Sequence, residues 1–222
     1  MKKIKAVLFD FDGTIFDTNK LILESWKEVF RVKNAAEKSE SEILATFGEP
    51  LLVTMEKWFP GEADECISIY RNYQKNIFFE MIEIYPGMEE LIKKLKALGY
   101  FNAIVTSRLT SSTIDTLEKY DLRRYFDIVV TCDDTDRHKP DPEPVLLALS
   151  KLDISEEEAI MIGDSKFDIL CAHNAGVKAV LVAWSQAMSG APEMTEAPEG
   201  SPYRPDFIID RADLLLEILS QG

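Results

Sequence analysis

The chain has 222 residues, of which 46 % are hydrophobic, so it is long and apolar enough for one large domain or a core with a smaller companion. Its 39 acidic residues outnumber its 25 lysines and arginines, which gives a formal net charge of −14. Because nucleic acids and anionic membranes bind basic faces, this balance argues against both as partners. No stretch approaches the length of a membrane span and no signal-peptide cleavage site follows the first lysines, so we expect a cytoplasmic protein.

Short apolar runs along the chain predict buried strands. Their residues are β-branched or aliphatic without polar alternation, which is typical of parallel strands covered by helices on both faces. These runs occupy residues 4–9, 102–106, 127–131, 159–163 and 178–183.

Helical patterns separate these runs. After Pro86, apolar residues recur at spacings of three and four up to Leu98, and Gly99 is placed to end the helix. Similar patterns occupy residues 110–119, 141–151, 166–175 and 211–220. Strands that alternate with helices predict an α/β fold with a doubly wound, mostly parallel sheet and a Rossmann-like core.

One interval interrupts the alternation. Between residues 16 and 80 the sequence shows helical patterns and no convincing strand, with a break at 47–50 and an apolar stripe over 63–77. We therefore predict a small helical domain at 16–80, inserted into a core that consists of residues 1–15 and 81–222.

The three cysteines do not form a metal or disulfide pattern. Cys66, Cys132 and Cys171 are scattered, odd in number and without a C-x-x-C pair. Each is expected to be a small buried apolar residue.

The segment 185–205 is rich in Pro, Gly, Ser and Ala and shows little periodicity. This composition predicts a surface loop. A lid or a contact with a partner is the alternative.

Reactive side chains follow four of the predicted strands. They are Asp10, Asp12, Gly13 and Thr14 after the first strand, Thr106 and Ser107 after the second, Lys139 after the third, and Asp164 and Asp168 after the fourth. In an open α/β sheet, ligands bind outside the carboxyl ends of the strands. The fold would therefore bring carboxylates, hydroxyls and a single lysine to one rim.

This set of groups is what phosphoryl transfer through an aspartyl intermediate requires. A carboxylate that attacks a phosphate dianion meets like charge, and each pair of unit charges costs roughly 4 kcal/mol at ~4 Å and an effective dielectric constant of ~20. A divalent cation on Asp10 and Asp164 can offset this cost, and Mg²⁺ fits best because it prefers oxygen ligands. Lys139 can neutralise the charge that develops, while Thr106 and the amides around Gly13 hold the phosphoryl oxygens.

The stretches DFDGT, VTSR, HKPDPEP and GDSKFD resemble, in order and spacing, the four motifs of the haloacid dehalogenase-like hydrolases. The resemblance covers nearly the whole chain. Within this superfamily, YFDIVVTCDD, KPDPEPVLLAL and AHNAGVKAVLVAW are similar to the phosphoglycolate phosphatase and pyrophosphatase branch, which has a helical cap after the first motif. The resemblance implies a Mg²⁺-dependent phosphatase that acts on a small phosphorylated molecule.

The resemblance also implies a role for each residue. Asp10 is the nucleophile and a metal ligand, while Asp12 offers its backbone carbonyl to the metal and its side chain as general acid and base. Asp164 is the second carboxylate ligand. The remaining residues bind the phosphate or support the site: Gly13, Thr106 and Ser107 hold the phosphate, Lys139 steadies it, and Asp168 orients the metal shell or Lys139.

Several alternatives remain open at this point. A phosphomutase would pass the phosphoryl group to a sugar, a haloacid dehalogenase would attack carbon, and an idle member of the fold would only bind or regulate. Phosphoglycolate, pyrophosphate and sugar phosphates all remain possible substrates, and oligomeric state is not predicted. Around the cleft, Asp17 is expected to cap the first inserted helix, and possible substrate contacts are Asn19, Lys20, Glu49 and Arg108.

Overall fold

The computed structural model describes residues 3–77, 80–185, 197–198 and 200–220, without the side chain of Asn76. In chain order its strands are β1 (Ala6–Phe9), β2 (Phe16–Asp17), β3 (Glu83–Ile84), β4 (Phe101–Val105), β5 (Ile128–Val130), β6 (Ala159–Gly163), β7 (Lys178–Val182) and β8 (Phe207–Ile209). Its helices are α1 (Asn19–Val32), α2 (Glu40–Leu44), α3 (Leu51–Trp58), α4 (Ala63–Ile77), α5 (Met88–Ala97), α6 (Thr110–Lys119), α7 (Glu143–Leu152), α8 (Lys166–Asn174) and α9 (Leu214–Ser220). None of the described helices is both long and apolar enough to cross a membrane.

Six of the described strands form one sheet in the order β5-β4-β1-β6-β7-β8, and every neighbouring pair is parallel. Phe9, the last residue of β1, pairs with Ile104 of β4 and Ile162 of β6. The carboxyl ends of these three strands therefore lie side by side at the centre of the sheet. This architecture confirms the predicted α/β fold with a doubly wound parallel core.

The core covers both faces of the sheet, because successive side chains of a strand point to opposite faces. Val7 and Phe9 of β1 pack in a cluster with residues of α5 and α9, whereas Ala6 and Leu8 pack with residues of α7 and α8. All four side chains are fully buried. Burial on both faces explains why β1 reads as a continuous apolar run rather than as an alternating one.

The five predicted core strands are confirmed, but the sequence patterns do not predict three further strands of the structure, β2, β3 and β8. The edge strand β8 has three residues, so its apolar run is shorter than the roughly four to eight residues that indicate a buried strand, and it leaves Ile208 exposed. The prediction of no strand between residues 16 and 80 is wrong at Phe16 and Asp17, which pair antiparallel with Ile84 and Glu83. A ladder of two residues is too short to produce a periodic pattern.

The helices α1 to α4 build a second, smaller core between β2 and β3. It is formed by large side chains that include Trp26, Phe30, Met55, Phe59 and Tyr70. The Trp26 ring lies 4.6 Å from that of Trp58 and 5.6 Å from that of Tyr70, in edge-to-face arrangements. This separate cluster supports a helical cap on the α/β core, and we propose the boundaries at 16 and 80 on this basis.

The cysteines follow the expectation in two of three cases. Cys66 and Cys171 are buried, whereas Cys132 is only partly buried, so the prediction of a buried apolar residue is wrong there. The backbone N–H of Cys132 donates to the carbonyl of Arg108, which places it in the loop after β5, at the rim of the sheet. All three are free thiols.

We expect Leu8→Ala to lower the free energy of unfolding by about 2–5 kcal/mol, because it removes buried methyl groups from the middle of the sheet and leaves a cavity. Leu146→Ala is the matched control, since Leu146 lies on α7 and is 40 % exposed. We expect the control to change stability by less than about 1 kcal/mol. Urea unfolding measures both, and equal losses would contradict the burial described here.

Candidate active site

A buried lysine contacts carboxylates from two of the segments that follow the strands. The ammonium nitrogen of Lys139 lies 2.6 Å from Oδ1 of Asp10, which follows β1, and 2.6 Å from Oδ1 of Asp168 on α8. Asp164, which follows β6, completes a cluster of three buried carboxylates whose nearest oxygens lie within 4.8 Å of one another. The parallel register thus brings together residues that are up to 158 positions apart in the chain.

The backbone after β1 is shaped to admit Asp164. The N–H of Asp10 still donates to the carbonyl of Ile162 at 2.9 Å, so the nucleophile candidate is held by the sheet itself. Gly13 then adopts a φ of +76°, and a Cβ at this position would lie 1.9 Å from Oδ2 of Asp164. Glycine is therefore required twice, by the backbone conformation and by the approach of a carboxylate. The phosphate-binding role of Gly13 stays a prediction, and its N–H donates here to the carbonyl of Phe16.

Asp168 is held by the first turn of α8. Ser165 and Asp168 form a capping box, in which Ser165 N–H and Oγ–H donate to Oδ2 of Asp168 at 3.0 Å and 2.6 Å. Its other oxygen accepts from Lys139. Both oxygens of Asp168 are thus engaged, and its contact with Lys139 supports the second of the two roles predicted for it, which stays a prediction.

The carboxylate of Asp12 contacts a cationic side chain that the sequence motifs do not pair with it. Oδ1 of Asp12 accepts from Nη1 of Arg108 at 2.8 Å. The Arg108 guanidinium also lies 5.1 Å from the centre of the Phe11 ring, a cation–π distance. Thr106 supports this arrangement, because its Oγ1 accepts from the backbone N–H of Arg108 at 3.2 Å.

A cavity of about 180 Å³ lies over this rim, between the sheet and the helices of the cap. Core residues on its wall include the predicted phosphate-binding residues Thr106 and Ser107, and its cap side includes Glu49, Arg71 and Gln74. Drug-sized ligands occupy pockets of roughly 300–1,000 Å³, so this cavity suits a small molecule.

The predicted cleft residues divide into two groups. Glu49 and Arg108 line the cavity. Asn19 is buried beside the cavity and Lys20 is exposed, and neither is part of its wall. The prediction that Asp17 caps α1 is wrong in position, because the N-cap residue is Thr18, but the Asp17 carboxylate accepts from the N–H of Asn19, the first residue of α1, at 3.1 Å.

Two further residues of the site, Arg71 and Ser185, are not predicted by the sequence. Arg71 lies on the exposed side of α4 and carries no local signal of its own. Ser185 stands at the start of the segment 185–205, whose composition predicts a surface loop. Most of that segment, including 186–196, lies outside the described residues, as does the prediction of a lid or partner contact made for it.

The sequence matches the profile of the family described as haloacid dehalogenase-like hydrolase over residues 7–182. The chain belongs to the haloacid dehalogenase-like hydrolases. The PpaX pyrophosphatase of Bacillus velezensis is 36 % identical over 217 residues, which cover 98 % of this chain and 97 % of the relative. The PpaX pyrophosphatase of Bacillus mycoides is 35 % identical over 219 residues, or 99 % of this chain and 98 % of the relative.

Solved structures show the same fold. A haloacid dehalogenase-like hydrolase of Streptococcus pneumoniae has a TM-score of 0.81 at 25 % identity and covers 100 % of this chain and 99 % of its own. A predicted phosphoglycolate phosphatase of Haemophilus somnus has a TM-score of 0.85 at 22 % identity, over 98 % and 99 % of the two chains. The protein is thus an enzyme of the phosphatase branch of the family, as the motif resemblance implied.

Phosphatases of this family use a divalent metal, and the charges of the site fit one. Burial, and then the charge of Asp168, raise the pKa of Asp10 to about 7 against the opposing effect of Lys139. Burial and the charges of Asp168 and Asp10 likewise raise the pKa of Asp164 well above its usual range. Burial disfavours the Lys139 cation, but Asp10 and Asp168 outweigh it and raise the pKa of the lysine. With one lysine among three carboxyl groups, full ionisation of the cluster is unfavourable unless a further cation is bound.

The raised carboxyl pKa values couple cation binding to pH. As the pH falls through about 7, protons on Asp10 compete with the cation, and the raised pKa of Asp164 adds to this competition, so affinity falls as the pH is lowered and binding releases protons. With Mg²⁺ as the probe, we expect binding at pH 6 to be at least about tenfold weaker than at pH 8, since a group with a pKa of about 7 is roughly one-tenth ionised at pH 6 and roughly nine-tenths ionised at pH 8. Titration calorimetry in two buffers of different ionisation enthalpy measures both effects. Equal affinity at the two pH values would contradict this account of the cluster.

Proposed function

We propose that the protein is a Mg²⁺-dependent phosphatase that hydrolyses pyrophosphate, or a phosphoglycolate-like phosphomonoester, through an aspartyl-phosphate intermediate. The observation that carries the proposal is the buried nucleophile candidate: Asp10 contacts Lys139 at 2.6 Å, lies beside Asp164 and lines a small cavity under the cap. Cysteine and histidine are absent from this cluster of the described residues, and its oxygen ligands favour Mg²⁺.

The charge on the wall of the cavity supports the need for a cation. Its described acidic residues are Asp10, Asp12, Glu49, Asp164 and Asp168, and its basic residues are Arg71, Arg108 and Lys139. With all groups ionised, negative charges outnumber positive ones, so an anionic substrate is repelled. A divalent cation held by Asp10, Asp164 and the backbone carbonyl of Asp12 would neutralise part of the charge of the nucleophile and of the phosphate.

In the first step, an oxygen of Asp10 forms a bond to phosphorus while the bond from phosphorus to the leaving oxygen breaks. Asp12 donates a proton to that leaving oxygen. Lys139 stays in contact with Asp10 and Asp168 and compensates charge near the nucleophile. In the second step, Asp12 removes a proton from a water molecule, which attacks phosphorus and releases phosphate and the Asp10 carboxylate.

Pyrophosphate is the favoured substrate because two kinds of observation agree. Relatives that are 35–36 % identical over nearly the whole chain are named pyrophosphatases. In addition, Arg71 from the cap lines the cavity and can face a second anionic group beyond the reacting one, while Arg108 from the core lines it in contact with Asp12. Phosphoglycolate also carries such a group, its carboxylate, and is the second candidate.

The test of this function is orthophosphate release from pyrophosphate by the purified protein. We expect turnover with Mg²⁺, none with EDTA, and recovery when Mg²⁺ is restored. Asp10→Asn should abolish turnover without unfolding, because the amide has nearly the same shape but is a poor nucleophile. Asp115→Asn, an exposed position on α6, is the matched control.

Retention of more than a few per cent of activity in folded Asp10→Asn, with deamidation excluded, would refute the assignment of the nucleophile. Full turnover in exhaustively chelated protein would refute the metal requirement. Isomerisation of a sugar phosphate without orthophosphate release would identify the phosphomutase alternative instead.

The role of Asp12 is tested by changing the leaving group. With Asp12→Asn, we expect the first step to slow by about 10²–10⁴-fold for an alkyl phosphate, which needs protonation of its leaving oxygen. For p-nitrophenyl phosphate the first step should suffer less, so that hydrolysis of the intermediate limits turnover. Rapid-quench kinetics should then show a burst of p-nitrophenol close to one equivalent per active site. Equal slowing for both substrates without a burst would show that Asp12 is not the acid.

A further inference from the structure

Ser185 contacts one of the predicted metal ligands. Its hydroxyl donates to Oδ2 of Asp164 at 2.6 Å, and both side chains are only 4 % exposed. The backbone of Gly13 also approaches Oδ2 closely, since a Cβ there would lie 1.9 Å from it. The Asp164 carboxylate is therefore flanked by a backbone and by the hydroxyl donor.

The Ser185 hydroxyl is itself held by a buried chain of hydrogen bonds. The phenol of Tyr85 hydrogen-bonds Ser185 and accepts from Nδ2 of Asn19 at 3.2 Å. The same amide nitrogen donates to Oδ1 of Asp17 at 2.8 Å. Because the Ser185 hydroxyl donates its proton to Asp164, the Tyr85 phenol donates to Ser185. The hydrogen bonds from Asn19 through Tyr85 and Ser185 therefore all run in one direction, towards the Asp164 carboxylate. Hydrogen bonds aligned in this way polarise and strengthen one another.

The backbone of Ser185 is fixed by its neighbour Trp184. The indole Nε1 of Trp184 donates to the carbonyl of Thr14 at 3.2 Å, so the end of the β7 loop is tied to the loop that follows β1. The Trp184 ring also lies 6.1 Å from the Tyr85 ring, within the range of aromatic pairs. Both partners of the Ser185 hydroxyl, Asp164 and Tyr85, are thus held in place around it.

We infer that Ser185 and Tyr85 are positioning residues that orient the Asp164 carboxylate for the metal. The inference rests on the proposed metal role of Asp164. Ser185 occupies Oδ2, which sets the rotation of the carboxyl group and leaves Oδ1 as the oxygen for the cation. Mutating a residue that holds a metal-ligating side chain in this way typically lowers the metal affinity 10–100-fold.

The same chain of hydrogen bonds reaches the two segments that connect the core and the cap. Asn19 is the first residue of α1, and Tyr85 directly follows β3, so these residues stand at the exit from the core and at the return to it. The orientation of Asp164 is in this way tied to the chain segments on which the cap is mounted.

The experiment is titration calorimetry of metal-free protein with Mg²⁺ at pH 8. We expect a dissociation constant 10–100-fold higher for Ser185→Ala than for the unchanged protein, and a smaller, several-fold rise for Tyr85→Phe, which removes only the phenol oxygen. Ser68→Ala and Tyr203→Phe, both at exposed positions, are the matched controls and should bind as the unchanged protein does. Circular dichroism and melting of the metal-free variants check the fold.

Unchanged Mg²⁺ affinity in folded Ser185→Ala, alongside loss of binding in Asp164→Asn, would overturn the positioning role and leave the proposed metal site intact. Full affinity in Asp164→Asn, or no binding by the unchanged protein, would overturn the metal assignment and this inference together. Where Ser185→Ala does not fold, Tyr85→Phe decides, and an affinity equal to that of Tyr203→Phe would refute the inference.

Discussion

Lys139 holds Asp10 and Asp168 together at the buried rim of the sheet, and the rest of the site is arranged around this contact. Removing one partner of a buried ion pair costs about 3–5 kcal/mol, because the other charge is left without compensation. One ammonium group cannot balance three neighbouring carboxylates, so burial and mutual repulsion raise the pKa of Asp10 and of Asp164. A divalent cation would favour the ionised carboxylates and displace their protons.

The parallel sheet makes this concentration of charge possible. Its central strand, β1, is buried on both faces and pairs with β4 and β6, so three polar strand ends share one edge. The apolar side chains of the strands anchor the sheet, and the reactive carboxylates and hydroxyls follow where the strands end. Asp10 keeps its backbone N–H in the ladder and is therefore as rigid as the strand that it follows.

The cap supplies the side of the cavity that lies opposite the sheet. Its own core, built around Trp26, allows α1 to α4 to stand as a unit over the rim, and the short ladder of β2 and β3 joins it to the sheet. Arg71 and Glu49 thereby reach a cavity whose floor is formed by core residues. Core and cap residues thus share the wall of the cavity, and the chain of hydrogen bonds from Asn19 to Asp164 runs near the connections between them.

The sequence by itself determined the five core strands, the helices between them and the motif residues of the rim, because continuous apolar runs, helical spacing and strand-end carboxylates are local patterns. It also carried the family resemblance. Only the tertiary structure decided the two-residue ladder, the half-exposed edge strand β8, the pairing of Arg108 with Asp12 and the place of Ser185 beside Asp164. Each of these depends on contacts between segments far apart in the chain. A lone arginine, serine or pair of residues has no periodicity, and its partner is set by how the sheet, the loops and the cap pack.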